Sequence, residues 1–190
     1  MKRYITLISL LLLCVVFAVA AHPHRTHRHA HKIRVKVPVF CLNNATDTIS
    51  SYNLLYFAQS LIGTPYRAAS SDPSRGFDCS GFVSYVFKSF NSNVPRSSGD
   101  YSNLGREINI EDARQGDIIL FTGTKTHHPH SIGHVGIVYS NEANKLTFIH
   151  STSGKENCVT ISAMDDTYKR RFVKVVRILR QNDIFQAQLN

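Results

Sequence analysis

Apolar positions along the chain follow two patterns, and the change from one to the other divides it. Leu54, Leu55, Phe57, Ala58, Leu61 and Ile62 recur at helical spacing and predict a helix with one buried face, stopped by Gly63 and Pro65. The spacing returns in Phe82, Val83, Val86, Phe87 and Phe90, a second amphipathic helix that starts near Cys79. Asn91 to Arg114 reads as irregular. After Gly116, apolar and β-branched runs at 117–122, 134–140, 145–151, 158–162 and 171–178 read as strands. Helices first and strands later predict an α+β domain, with N-terminal helices packed on a central antiparallel sheet.

The longest apolar run has another reading. Lys2 and Arg3 precede a continuous stretch from Ile5 to Phe17, and Ala18-Val19-Ala20 supplies small residues. Residues 1–20 are therefore read as a secretory signal peptide cleaved after Ala20. Removing them from the 190 residues leaves 170, one domain by length. It also takes the formal net charge from +9 to +7. An exported basic protein suits an anionic wall or outer surface. No nucleic-acid-binding module is apparent, no further segment would hold the mature chain in a membrane, and a monomer is expected.

Residues 21–45 read as a basic tail. His22, His24, His27, His29 and His31 alternate with Arg25 and Arg28, and core-forming residues are lacking. The tract charges below pH ~6.5. This is preferred to a metal site, because no carboxylate or cysteine completes a ligand set. Ile33 to Val39 alternates like a strand, which Pro38 confines to a sheet edge. Residues 46–180 form the expected catalytic domain and 181–190 a C-terminal tail. No metal or cofactor is expected; His127, His128 and His130 read as a solvated loop.

The chemistry centres on Phe77-Asp78-Cys79-Ser80-Gly81-Phe82. Asp78 is placed to cap the second helix, with Cys79 in its first turn. Unpaired N–H groups and the helix dipole there favour an anion, so the thiol is expected to lose its proton easily. A thiolate nucleophile needs a base. His134 opens one apolar strand and His150 closes the next. A three-residue loop at Asn141, Glu142 and Ala143 would pair Ser140 with Asn144 and set His134 directly opposite His150. One imidazole would then orient the other.

Five blocks in order resemble the NlpC/P60 family of cell-wall cysteine peptidases, which have a papain-like core. They are Leu61 to Arg67, Phe77 to Phe82, Val94 to Ser98, Gln115 to Phe121 and Gly133 to Val138. The resemblance implies hydrolysis of peptidoglycan stem peptides between D-γ-glutamate and the next diamino acid. It makes Cys79 the nucleophile, His134 the base and His150 the orienting residue. It also places Tyr66, Asp78 and Ser80 near the substrate or the oxyanion. The implied mechanism starts from a thiolate–imidazolium pair and passes through a thioester. Ala68-Ala69-Ser70 departs from the family's usual Trp-Gly-Gly-like stretch, and the chain has no Trp. Cys14 leaves with the signal. Cys41 and Cys158 then either form a disulfide or remain separate thiols. Two rival readings are a related papain-like amidase or acyltransferase, and a non-enzymatic metal-binding envelope protein.

Overall fold

The computed structural model describes residues 49–124, 131–143, 145–180 and 182. The signal peptide, the basic tail with its edge strand, Cys41, the loop histidines 127, 128 and 130, and residues 183–190 lie outside the described residues.

Helix α1 (Ser51–Gln59) is capped by the Ser50 hydroxyl, which accepts from the Asn53 N–H at 3.5 Å. It buries Leu54, Leu55, Phe57 and Ala58. The helix ends sooner than the apolar pattern implies. The chain turns at Gly63, where φ is +83°, and Ile62, expected on the buried face, is 48% exposed. A two-stranded ribbon of β1 (Ser71–Asp72) and β2 (Gly76–Phe77) leads into helix α2 (Cys79–Lys88). Helix α2 buries Phe82, Val83, Val86 and Phe87, the stripe the spacing predicts.

The main sheet contains β3 (Arg106–Ile108), β4 (Ile118–Thr122), β5 (Ile132–Glu142), β6 (Lys145–Ser151), β7 (Val159–Ala163) and β8 (Phe172–Arg177). Its order is β3-β8-β4-β5-β6-β7, and every neighbouring pair is antiparallel. All five expected strands form. Several elements were not expected, among them the β1–β2 ribbon, β3, inside the stretch read as irregular, and helix α3 (Asp166–Arg171), between β7 and β8. The fold is α+β, as the pattern predicts.

Both sheet faces are covered, which explains why β4 reads as an unbroken apolar run. One face presents Ile118, Leu120, Val135, Ile137, Ile149 and Val176 to the core formed with α1 and α2. The other gathers Ile119, Phe121, Val138, Phe148 and Val175, with Tyr168 of α3 packed against them. At one end a buried ion pair ties β8 to the start of β4. Arg177 donates to Asp117 through Nε at 2.9 Å and Nη2 at 2.8 Å. Asp117 also accepts from the Arg114 N–H at 2.8 Å and from Asn182 at 3.3 Å.

Removing one partner of such a pair strands the other charge in the core. Asp117→Ala is therefore expected to lower stability by about 3–5 kcal/mol, read from denaturant midpoints. The double change Asp117→Leu with Arg177→Met should recover most of that loss, because no buried charge is left behind.

Candidate active site

Asp78 builds the start of α2. Its backbone is extended, with φ −83° and ψ 176°, and its Oδ1 accepts from the Gly81 N–H at 2.6 Å. Arg96, from the loop after α2, clamps the same carboxylate. Nη1 reaches Oδ1 at 2.9 Å and Nη2 reaches Oδ2 at 2.7 Å, while Nη1 also donates to the Ser80 hydroxyl at 3.1 Å. Gly81 is required by proximity: a Cβ there would lie 2.0 Å from the Ser70 carbonyl oxygen. Asp78 and Ser80 are both buried, and these contacts occupy their polar groups. Sequence reasoning assigned no role to Arg96, because a single arginine in a loop has no periodicity that places it.

Cys79 follows the cap and packs against the core that contains Val135. The backbone N–H groups of Val135, Ser80 and Cys79 itself act on the sulfur. Val135 can contribute because of strand geometry. The Val138 N–H bonds across to Asp117, on the β4 side, so alternate N–H groups at 137 and 135 face β6. Just beyond β6 the Thr152 N–H bonds to the Cys158 carbonyl. The β5–β6 ladder runs only as far as Ile137 with Ile149 and stops short of Val135.

His134 Nε2 lies 2.8 Å from His150 Nδ1, with the rings edge to face at 83°. The expected register is wrong, although the two rings do meet. Ile137 pairs with Ile149, and Glu142 pairs with Lys145, so the hairpin turn is tighter than the expected three-residue loop. A register shift between Val138 and Ser140 accompanies it. Continuing the register sets Gly136, not His134, opposite His150. A Cβ on Gly136 would meet Phe148 at 2.9 Å and His150 at 3.3 Å. His134 is thus a diagonal neighbour on the same face, within reach of a long side chain. Phe121 and Tyr168 flank the pair, and His150 Nε2 contacts the Ser162 hydroxyl at 3.0 Å.

The electrostatics differ from the expected ion pair. Burial pushes the Cys79 thiol above its ordinary value, and the Asp78 charge adds to this; the three N–H groups only partly offset them. Burial, His150 and Arg171 hold His134 well below the usual histidine range. His150 is pushed down to about 3 by burial and then by Arg171. These directions describe a neutral thiol and two neutral imidazoles.

Tyr66 is half-buried. Burial, then Cys79 and Asp78, raise its phenol, while a hydrogen bond with Ser153 opposes the shift. Its N–H donates to the Asn157 carbonyl at 2.8 Å. The fully buried Tyr101 was not foreseen. Its hydroxyl has no hydrogen-bond partner among the described residues, and burial and Cys79 hold it well above the ordinary phenol range. Cys158 is a free thiol, bridged through its backbone to Pro65, and its proposed partner Cys41 lies outside the described residues. Among the described residues no three His, Cys, Asp or Glu side chains form a ligand set, and no helix is long and apolar enough to cross a membrane.

Residues 63–177 match the model of the NlpC/P60 family, and the chain belongs to that family. It is 32% identical over 122 residues to the murein DD-endopeptidase MepS/murein LD-carboxypeptidase of Escherichia coli, covering 63% of this chain and 58% of that protein. It is 34% identical over 112 residues to the gamma-DL-glutamyl hydrolase of Bacillus subtilis, covering 58% of this chain and 25% of that one. The chain thus matches less than two thirds of either relative's length. The crystal structure of an NlpC/P60 family protein from Bacillus cereus superimposes with a TM-score of 0.61 at 28% identity, covering 70% of this chain and 41% of that one.

The depressed His150 pKa links stability to pH. Between about 6.5 and about 3 the unfolded histidine binds a proton that the folded one refuses, so stability falls as the pH drops through that window. The loss is about 1.4 kcal/mol per pH unit while the difference is a full proton. Thermal melts at pH 4.5 and 7 should show His150→Gln losing less stability on acidification than the unsubstituted protein.

Proposed function

We propose that this protein is an exported cysteine endopeptidase that hydrolyses peptidoglycan stem peptides, with Cys79 as nucleophile, His134 as general base and His150 as the group that orients it. The observation that carries this reading is the 2.8 Å contact between His134 and His150, beside a strand backbone that meets the Cys79 sulfur. Family membership supplies the substrate class. The D-γ-glutamyl–diamino acid bond is the proposed target, supported by the name of the Bacillus relative; the name of the Escherichia relative points to other bonds in the same polymer.

In this mechanism His134 removes the thiol proton as the sulfur attacks the scissile carbonyl. Charge builds on sulfur only during attack, because the resting groups are neutral. The Cys79 N–H, at the open end of α2, donates to the developing oxyanion. His134 then gives its proton to the leaving amine, and the C–N bond breaks to leave a thioester on Cys79. Water, deprotonated by His134, attacks the thioester and releases the acid and the thiol. Asp78, Ser80 and Arg96 hold the nucleophile's helix start, and Tyr66 with Ser153 borders the approach.

Defined stem peptides with product masses read out test both activity and bond. Cys79→Ala and His134→Ala are each expected to lower kcat by at least ~10³-fold while the circular dichroism of the fold survives. Products ending in D-glutamate after the γ-bond support the proposed target; cleaved cross-links with intact stems would move the assignment to another bond. An unimpaired Cys79→Ala variant would end the reading.

The pH profile follows from the same charges. Activity needs unprotonated His134, whose pKa lies well below 6.5, so kcat/KM should hold level from pH 8 to 6.5 and decline only in more acid solution. An acid limb centred at or above pH 6.5 would contradict the neutral resting pair.

A further inference from the structure

Helix α1 carries two rings that the fold does not use. Tyr52 and Tyr56 are 70% and 59% exposed, with ring planes 19° from parallel and centroids 6.5 Å apart. Leu54, Leu55, Phe57 and Ala58 already supply the buried face of the helix. At outward positions tyrosine is a poorer helix former than alanine, lysine or glutamate, and it leaves apolar surface in water. Stability therefore does not account for the pair. Neighbouring large rings in solvent mark a surface for binding.

The rings border a cleft of about 110 Å³, lined by Tyr52, Leu55, Tyr56, Gln59, Gln115 and Tyr139. The Gln59 side-chain N–H donates to the Tyr139 hydroxyl, which ties α1 to β5 and fixes both groups. That bond leaves the Gln59 side-chain oxygen and the Tyr139 proton without a partner among the described residues. Gln115 adds a second amide, and its backbone carbonyl accepts from the Asn182 side chain at 2.9 Å. No lining residue is charged, although the chain carries a net charge of +9.

We infer that this cleft binds a neutral glycan of N-acetylated sugars and gives the enzyme a second hold on its polymeric substrate. The second clause rests on peptidoglycan being that substrate. A sugar ring has apolar C–H faces that pack on aromatic rings, and a rim of hydroxyls that needs donors and acceptors. The cleft is well below the ~300 Å³ or more that a whole ligand fills, so it takes one substituent. An acetamido group suits it: uncharged, with a methyl for Leu55. Its N–H and carbonyl point opposite ways, so they need partners on different elements. The Gln59–Tyr139 pair and Gln115 are such partners, and the sugar ring itself then lies on the tyrosines. A polyanion finds no cation in this lining. A stable protein partner covers about 1,200 Å² or more, whereas two tyrosine rings offer at most roughly 500 Å². Tyr139 lies five residues beyond His134 on β5, about 16 Å along the strand, so the bound sugar sits outside the catalytic cleft.

The probe is the β-1,4-linked hexamer of N-acetylglucosamine, with the glucose hexamer as its acetamido-free match. Nitrogen-15 spectra of the full chain follow the side-chain amides of Gln59 and Gln115 during titration. The acetylated hexamer should shift both, and the glucose hexamer should bind more weakly. Tyr52→Ala with Tyr56→Ala should weaken binding about 10-fold, as expected for losing two ring contacts. The same double variant should cut soluble stem peptides at unchanged kcat/KM but digest whole sacculi roughly 3- to 10-fold more slowly, through lost multivalency. Unmoved amides, equal binding of the two hexamers, or full binding by the double variant overturns the inference. So does a dimer in sedimentation that the double variant dissolves, because the face then belongs to a second copy. Unslowed digestion of sacculi despite lost hexamer binding overturns the second hold. An active Cys79→Ala variant would instead overturn the catalytic reading and leave the sugar site standing.

Discussion

Three requirements of this site meet on the Asp78 carboxylate. It caps α2 through the Gly81 N–H, a contact of a kind worth about 1 kcal/mol. It anchors Arg96, and through Arg96 the loop that follows the helix. It also stands next to Cys79 in the chain, so the geometry of the cap sets where the sulfur lies against β5. The close approach of Ser70 to Gly81 removes what freedom remains. Placement by Asp78 has an electrostatic cost, since its charge raises the thiol it positions. The fold accepts a less acidic thiol for a fixed one.

That cost is consistent with catalysis. The N–H groups around the sulfur do not ionise it at rest, because burial outweighs them. Fixed dipoles of this kind act most strongly on charge that appears during reaction in a site shielded from water. A resting thiolate would already have used much of their stabilisation in the ground state, where it accelerates nothing. The ladder between β5 and β6 ends at Ile137 and Ile149, before it reaches Val135. The break in the sheet ladder is therefore part of the site.

Much of this was legible in the sequence, and the omissions have physical causes. The Asp78 cap and the five long strands rest on local chemistry and short-range periodicity, which one sequence displays. Strand β3 does not: its three residues pair with β8, and only Ile108 is buried. Helix α3 buries no residue fully, so no apolar stripe announces it, although Asp165 caps it through the Tyr168 N–H. The partners Arg96, Ser162 and Tyr168 act through contacts between distant segments, which residue type and spacing do not encode. The lowered thiol pKa expected from the helix start was wrong for a related reason. The dipole is local and visible in sequence; the burial that outweighs it comes from tertiary packing.

The register of β5 and β6 shows why one error did not spoil the site. On the site side of the register shift the observed pairing is offset by two residues from the expected one, and side chains alternate faces with a period of two. An even offset keeps both histidines on one face; an odd offset would have separated them by the sheet. Geometry then had to convert a direct pair into a diagonal one. Gly136 does this by leaving open the position opposite His150, where even a methyl group would press on Phe148. The register shift next to Tyr139 lets the tighter hairpin turn and the site-end pairing coexist on the same two strands. The contact between the imidazoles is thus set by a residue with no side chain and a strand irregularity, neither of which carries any chemistry of its own.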